Sequence, residues 1–207
     1  MSESRNTRSQ LYWNTLLRIP AQVINFVISI LVARLLMPRD FGIMGITMMI
    51  IGYTNLFTNF GFVEAIIQKN IHDKKILNSI FTFNLTISCL LAGGFYLIAG
   101  LIADFFNTPE AMMVIRVMSI VFIITAFPIV PNAILRRDMK FKAVAIFDLI
   151  QAILMSIITL LLAYKGFEYW ALVYGQIIPL AVTSVLLCIK VRYLPSLYYN
   201  NNLMKKV

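Results

Sequence analysis

VAIFDLIQAILMSIITLLLAY (144–164) and WALVYGQIIPLAVTSVLLCI (170–189) stand almost back to back, separated only by KGFEY. Each is a near-continuous apolar run close to the ~20 residues that a helix needs to cross a bilayer core about 30 Å thick. Neither carries the charged face that a helix needs where it meets water. Backbone amides in lipid must bond within their own segment, so both runs read as membrane helices.

Four more runs of the same kind precede them: Arg18–Met37, Phe41–Phe62, Ile80–Ile102 and Met112–Val130. With Val144–Tyr164 and Trp170–Ile189 they make six spans, numbered one to six, in a single membrane domain over residues 1–207. The expected fold is an all-α integral membrane protein, a six-transmembrane-helix bundle. Composition agrees: 60% of residues are hydrophobic and only 13% charged, against about 25% charged in soluble domains, and mean hydropathy is +0.82. The net charge of +9 does not indicate nucleic acid, because the basic residues flank the spans; anionic membrane lipids are the simpler partner. The first ten residues, MSESRNTRSQ, look like the start of a signal peptide. No small-residue cleavage site follows, so the first run is read as an uncleaved span.

Short loops make the positive-inside rule applicable. The N-terminus, the two–three loop, the four–five loop and the C-terminal tail hold fourteen of the eighteen Lys and Arg residues. Both termini are therefore expected in the cytoplasm. Tyr12, Trp13, Tyr164, Tyr169, Trp170 and Tyr193 cluster at span ends, as interfacial rings do.

Chemistry of the catalytic kind is missing from the sequence. There is no phosphate-binding glycine loop and no zinc-protease motif. Cys89, Cys188 and His72 lack metal-ligand spacing. The chain reads as a non-enzyme, with no cofactor and no metal. Polar residues inside the spans carry what functional signal there is. Asn14, Arg18, Gln22, Asn25 and Ser29 recur at helical spacing on one face of span one. Span two has Asn55, Thr58 and Asn59; span three has Asn78, Thr82, Thr86, Cys89 and Gly93. Asp148, Gln151, Ser156 and Thr159 follow on span five, and Gln176, Pro179 and Thr183 on span six. Such residues commonly bond neighbouring helices. Charges are costlier, about 2.5–3.5 kcal/mol at the bilayer centre on insertion scales. Arg18 and Arg116 lie near span ends and either snorkel to the interface or face a cavity. Asp148 pairs with a cation, meets a wet cavity or is protonated. Together the stripes on spans one, two and five point to a shared polar face around a substrate cavity. Pro128, Pro131 and Pro179 mark expected kinks. The basic stretch NAILRRDMKFKAVAIFD (132–148) anchors topology or meets anionic headgroups.

Several stretches together resemble a family: ARLLMPRDFG (33–42), NFGFVEAIIQK (59–69), LIADFFNTPE (101–110), VPNAILRRDMKFKAVAIFDLI (130–150) and KGFEYWALVYGQ (165–176). In order and content they are similar to the N-terminal half of oligosaccharide flippases, the polysaccharide transporters of the MOP superfamily, which share a fold with MATE exporters. The resemblance covers about residues 10–193. It implies one six-helix lobe of a two-lobed, MATE-like transporter in the bacterial inner membrane. The implied function is translocation of a polyprenyl-diphosphate-linked oligosaccharide for O-antigen, capsule or exopolysaccharide biosynthesis. Only one lobe is matched, so the chain is expected to be a fragment, the product of a disrupted gene or a half-transporter that pairs with a second lobe or as a homodimer. On helical geometry, Arg18 is the expected contact for diphosphate, and Asn25 and Asn59 for sugar hydroxyls. Gln22, Asp148 and Gln151 complete the expected substrate-binding set. Two other readings compete: a MATE-like small-molecule exporter, which needs acidic residues in its lumen, and an inactive membrane remnant.

Overall fold

The computed structural model of the protein describes residues 22, 26, 28–58, 62–69, 71–193 and 195–198. Every regular element among them is a helix. α1 is described over residues 28–35. It is followed by α2 (Pro38–Thr58), α3 (Phe62–Gln68), α4 (Lys74–Phe105), α5 (Pro109–Met118), α6 (Ile120–Arg137), α7 (Phe141–Tyr164) and α8 (Tyr169–Val191). Among the described residues, four helices are long and apolar enough to cross a membrane: α4, α5 with α6 as one length, α7 and α8.

Boundaries differ from the hydropathic runs where polar chemistry sets them. α4 begins six residues before the expected Ile80. The Asp73 carboxylate accepts the Lys75 backbone N–H at 2.8 Å and caps the helix at Lys74. α2 is described to Thr58, and the short helix α3 is described from Phe62. It packs on α6, with Ile66 fully buried.

Span four carries two prolines within its helix. α6 remains helical through Pro128 and Pro131. Pro131 cannot donate to the Phe127 carbonyl, and the Cys188 thiol of α8 donates to that oxygen instead, at 3.8 Å. A break in the helix lies at Ser119, between α5 and α6. There the Phe122 N–H reaches back only three residues, and the Ser119 hydroxyl donates to Arg116 O at 2.6 Å.

Four helix ends share one device. A residue one or two positions past the helix adopts positive φ, and the next N–H bonds five residues back: Thr108 to Ala103, Lys140 to Leu135, Phe167 to Leu162, Tyr193 to Cys188. A glycine occupies the left-handed position only at Gly166. Asn107, Met139 and Arg192 take it elsewhere.

α7 lies along α8, α4 packs on α5 and α6, and α6 packs on α8. Small residues allow the close approaches: Ala99 and Ala103 of α4 are four apart and both buried. One cluster joins α2, α4, α5, α6 and α8 through Ile43, Ala99, Val114, Met118, Phe122 and Val173. At the other end Ile66, Leu77, Ile80, Val130 and Tyr193 form a second. Outward, Leu90, Leu97, Leu101 and Phe105 leave a strip of α4 more than two-thirds exposed. That strip is costly in water and suited to lipid.

Candidate functional site

Polar side chains do converge between helices. A cavity of about 320 Å³ lies between α1, α2, α7 and α8. Its walls are largely apolar, from Ile28, Val32, Phe41, Met44, Met48, Met155 and Leu172, and its polar groups are Ser29, Ser156, Thr159 and Gln176. Helical spacing explains the set: Ser156 and Thr159 are one turn apart on α7, and Leu172 and Gln176 one turn apart on α8. Ser156 and Thr159 are 5% and 7% exposed. The Gln176 Oε1 atom is buried with no hydrogen-bond partner. An unpaired acceptor in an apolar setting carries a desolvation penalty that a donor entering the cavity would remove.

The substrate residues expected from the sequence are placed as follows. Arg18, Asn25 and Asn59 lie outside the described residues. Gln22 is helical and exposed, and Asp148 is exposed near the start of α7. Gln151 is half-buried, and its Oε1 accepts the Thr183 hydroxyl of α8 at 3.2 Å, tying the two helices together. None of these three is among the described residues lining the cavity. All four polar lining residues belong to the stripes seen in the sequence. What identifies them is their meeting across α1, α7 and α8, which no single stripe reveals.

Two other polar groups have partners unlike those expected. Arg116 does not simply snorkel: its guanidinium lies 5.1 Å from the centre of the Tyr96 ring, and its Nε is buried without a hydrogen-bond partner. Nearby, Arg39 at the start of α2 forms an ion pair with Glu110 at the start of α5. Tyr193, expected among the interfacial aromatics, is 7% exposed. Its hydroxyl donates to Asn78 Oδ1 at 2.8 Å, and the Tyr198 N–H reaches Thr82 Oγ1 at 3.0 Å. The polar stripe of α4 therefore receives the segment that follows α8. Burial, and then the neighbouring Cys188, push the Tyr193 hydroxyl well above its ordinary pKa.

In the basic α6–α7 turn one cation is turned inward. The Arg137 side chain is 9% exposed; its Nη1 donates to the Ile71 carbonyl and its Nε to Asp138 Oδ1 at 3.0 Å. Burial raises the Asp138 pKa. Hydrogen bonds and charge from Arg137 and Lys140 outweigh it and hold the carboxyl below its usual value. Arg136, Lys140 and Lys142 remain exposed.

Helices of membrane-spanning length and an apolar outer face define a multi-pass membrane protein. Residues 31–207 match the family described as Polysaccharide biosynthesis protein, and the chain belongs to that family. It is 27% identical over 160 residues to the succinoglycan biosynthesis transport protein ExoT of Rhizobium meliloti (strain 1021), a match covering 77% of this chain and 32% of that one. It is 20% identical over 148 residues to the lipopolysaccharide biosynthesis protein WzxC of Escherichia coli (strain K12), covering 72% and 30%. An uncharacterized membrane protein in the cps region of Klebsiella pneumoniae is 19% identical over 187 residues, covering 90% and 39%. The chain thus spans about a third of the length of these relatives. No solved structure matches it.

Proposed function

We propose that this chain is one six-helix, MATE-like lobe of a transporter that moves lipid-linked oligosaccharide across the bacterial inner membrane for surface polysaccharide biosynthesis. In this reading α1 and α2 supply the first two crossings and the four long helices the rest. Both termini face the cytoplasm, as the basic residues favour. A second lobe, or a second copy, covers the polar inner face.

The observation that carries the reading is the cleft holding Ser29, Ser156, Thr159 and the unpartnered Gln176 Oε1. Hydroxyls and an amide set in apolar walls suit sugar hydroxyls, which both donate and accept. No carboxylate is among the described residues lining the cleft, which favours a glycan over a small cation. The names of two relatives, a succinoglycan transport protein and a lipopolysaccharide biosynthesis protein, point the same way. Arg18, Asn25, Asn59, Gln22, Asp148 and Gln151 form the proposed path from the cytoplasmic side, with Arg18 meeting the diphosphate. Carrying an anionic head outward from a negative interior gains about 2.3 kcal/mol per charge per 100 mV, so such a step needs no bound nucleotide.

The test pairs Gln176→Leu with Arg18→Ala in cells that also supply a complete second lobe and lack other flippases. Surface polysaccharide should fall at least ~10-fold in each at unchanged membrane abundance, the loss of one buried hydrogen bond to substrate being worth about 1.5 kcal/mol. Normal export by Gln176→Leu would remove the cleft from the pathway. Normal export by Arg18→Ala would make Arg18 an interfacial anchor only.

A further inference from the structure

A second and larger opening lies on another side of the bundle. It measures about 660 Å³ and runs between α6 and α8 toward the end of α8, where the polar stripes played no part. Phe127, Ala181, Val185 and Cys188 line it, with Tyr193 and Arg192 at its end. Its polar atoms are already engaged: the Cys188 thiol with Phe127 O, the Tyr193 hydroxyl with Asn78. What remains is an apolar channel with exposed Arg192 at one end. Lys190 is also exposed on the last turn of α8. Val185 is 59% exposed, so the channel lies against an outward face and not within the bundle core.

From this pairing of an apolar groove with a cationic mouth, we infer that the α6–α8 groove holds one acyl chain of an anionic glycerophospholipid, its phosphate at Arg192. The size falls in the ~300–1,000 Å³ range of ligand sites. Charge selects the class. A zwitterionic headgroup carries its own cation to the mouth, whereas a phosphatidylglycerol-type headgroup meets Arg192 with net negative charge. A planar guanidinium grips phosphate oxygens in pairs. The chain ordering cost is modest because the groove is already formed. This site is separate from the cleft between α1, α2, α7 and α8, and it stands whether or not that cleft binds a glycan.

The test is native mass spectrometry of the full chain, released from detergent and titrated with dioleoyl phosphatidylglycerol or dioleoyl phosphatidylcholine. One phosphatidylglycerol should be retained about fivefold more tightly than phosphatidylcholine, the preference one surface cation gives an anionic lipid. Arg192→Gln, a change at an exposed side chain, should erase that preference and leave equal, weaker retention of both lipids. Ala181→Phe, which fills the groove, should lower retention of both. Equal retention of the two lipids by the wild-type chain, or an undiminished preference in Arg192→Gln, would overturn the site. So would retention of undecaprenyl phosphate with none of phosphatidylglycerol. The wild-type and Arg192→Gln measurements decide the matter even if Ala181→Phe does not fold.

Discussion

Gly175 of α8 lies so close to Thr159 of α7 that a Cβ on the glycine would sit 3.0 Å from the Thr159 Cβ and 3.2 Å from its Cα. Both distances are to atoms that cannot swing aside. The contact falls in the helix pair with the most extensive packing and borders the cleft between α1, α2, α7 and α8 at Thr159. Close helix approach at a small residue is what lets apolar helices associate where no hydrophobic force acts between them.

Gly175→Ala should therefore destabilise the chain by about 1–3 kcal/mol, the usual cost of overpacking. Thermal unfolding in detergent would register it as a lower midpoint. Pairing the change with Thr159→Ala should recover part of the loss, because the two positions compete for one space. An unchanged midpoint in Gly175→Ala would mean that α7 and α8 are not held this closely.

Topology can be read chemically. In a background lacking Cys89 and Cys188, a cysteine at Lys165 in the α7–α8 turn should react with an impermeant maleimide added outside the cell. A cysteine at His72, before α4, should not. The expectation rests on fourteen basic residues lying on the His72 side. The reverse labelling would invert the chain.

Tyr193→Phe should weaken the attachment of the segment after α8, because Asn78 Oδ1 would lose its 2.8 Å donor. A buried hydrogen bond of this kind contributes about 1 kcal/mol. A double-mutant cycle of Tyr193→Phe with Asn78→Ala should show a coupling near that size. Strict additivity would show that the two side chains act independently.

The α6–α7 turn should respond to acid. The folded Asp138 carboxyl is held below its ordinary pKa, so its stabilisation is fully present above the unfolded value of about 3.9. It is lost as pH falls through the depressed folded value. Hydrogen exchange at Met139 and Lys140 should be flat from about pH 5 upward, after correction for intrinsic rates, and protection should drop in strong acid. Asp138→Asn should remove that drop and lower protection throughout.

Met139→Gly should stabilise the same turn. Met139 has φ of 56°, a left-handed conformation that costs a side chain with a Cβ roughly 1 kcal/mol or more. Glycine adopts it freely. The gain should appear as a higher unfolding midpoint. Gly166, at φ 78° in the next turn, already has the favourable residue, and Gly166→Ala should act in the opposite direction.

The membrane class was legible in the sequence because it depends on local quantities. The length of apolar runs such as Val144–Tyr164 predicts a span without reference to any neighbour, and the observed α7 runs Phe141–Tyr164. Families of short motifs added what local hydropathy lacks. Helix ends were less legible. Asp73 begins α4 through a capping bond, and the break at Ser119 reflects a hydroxyl competing for backbone, whereas the eye is drawn to Pro128 and Pro131.

Hydropathy and motif order alone make the chain a helical membrane protein of this family and mark which residues are polar inside the spans. Tertiary structure decided which of those polar residues are already occupied. Gln151 is engaged by Thr183, Asn78 by Tyr193, and the Phe127 oxygen freed by Pro131 by Cys188. Gln176 Oε1 is left unpaired beside Ser156 and Thr159. Hydropathy is a sum along one helix, whereas a hydrogen bond between helices depends on their rotation and separation. Those are set by contacts such as Gly175 against Thr159, and they exist only once the helices have packed.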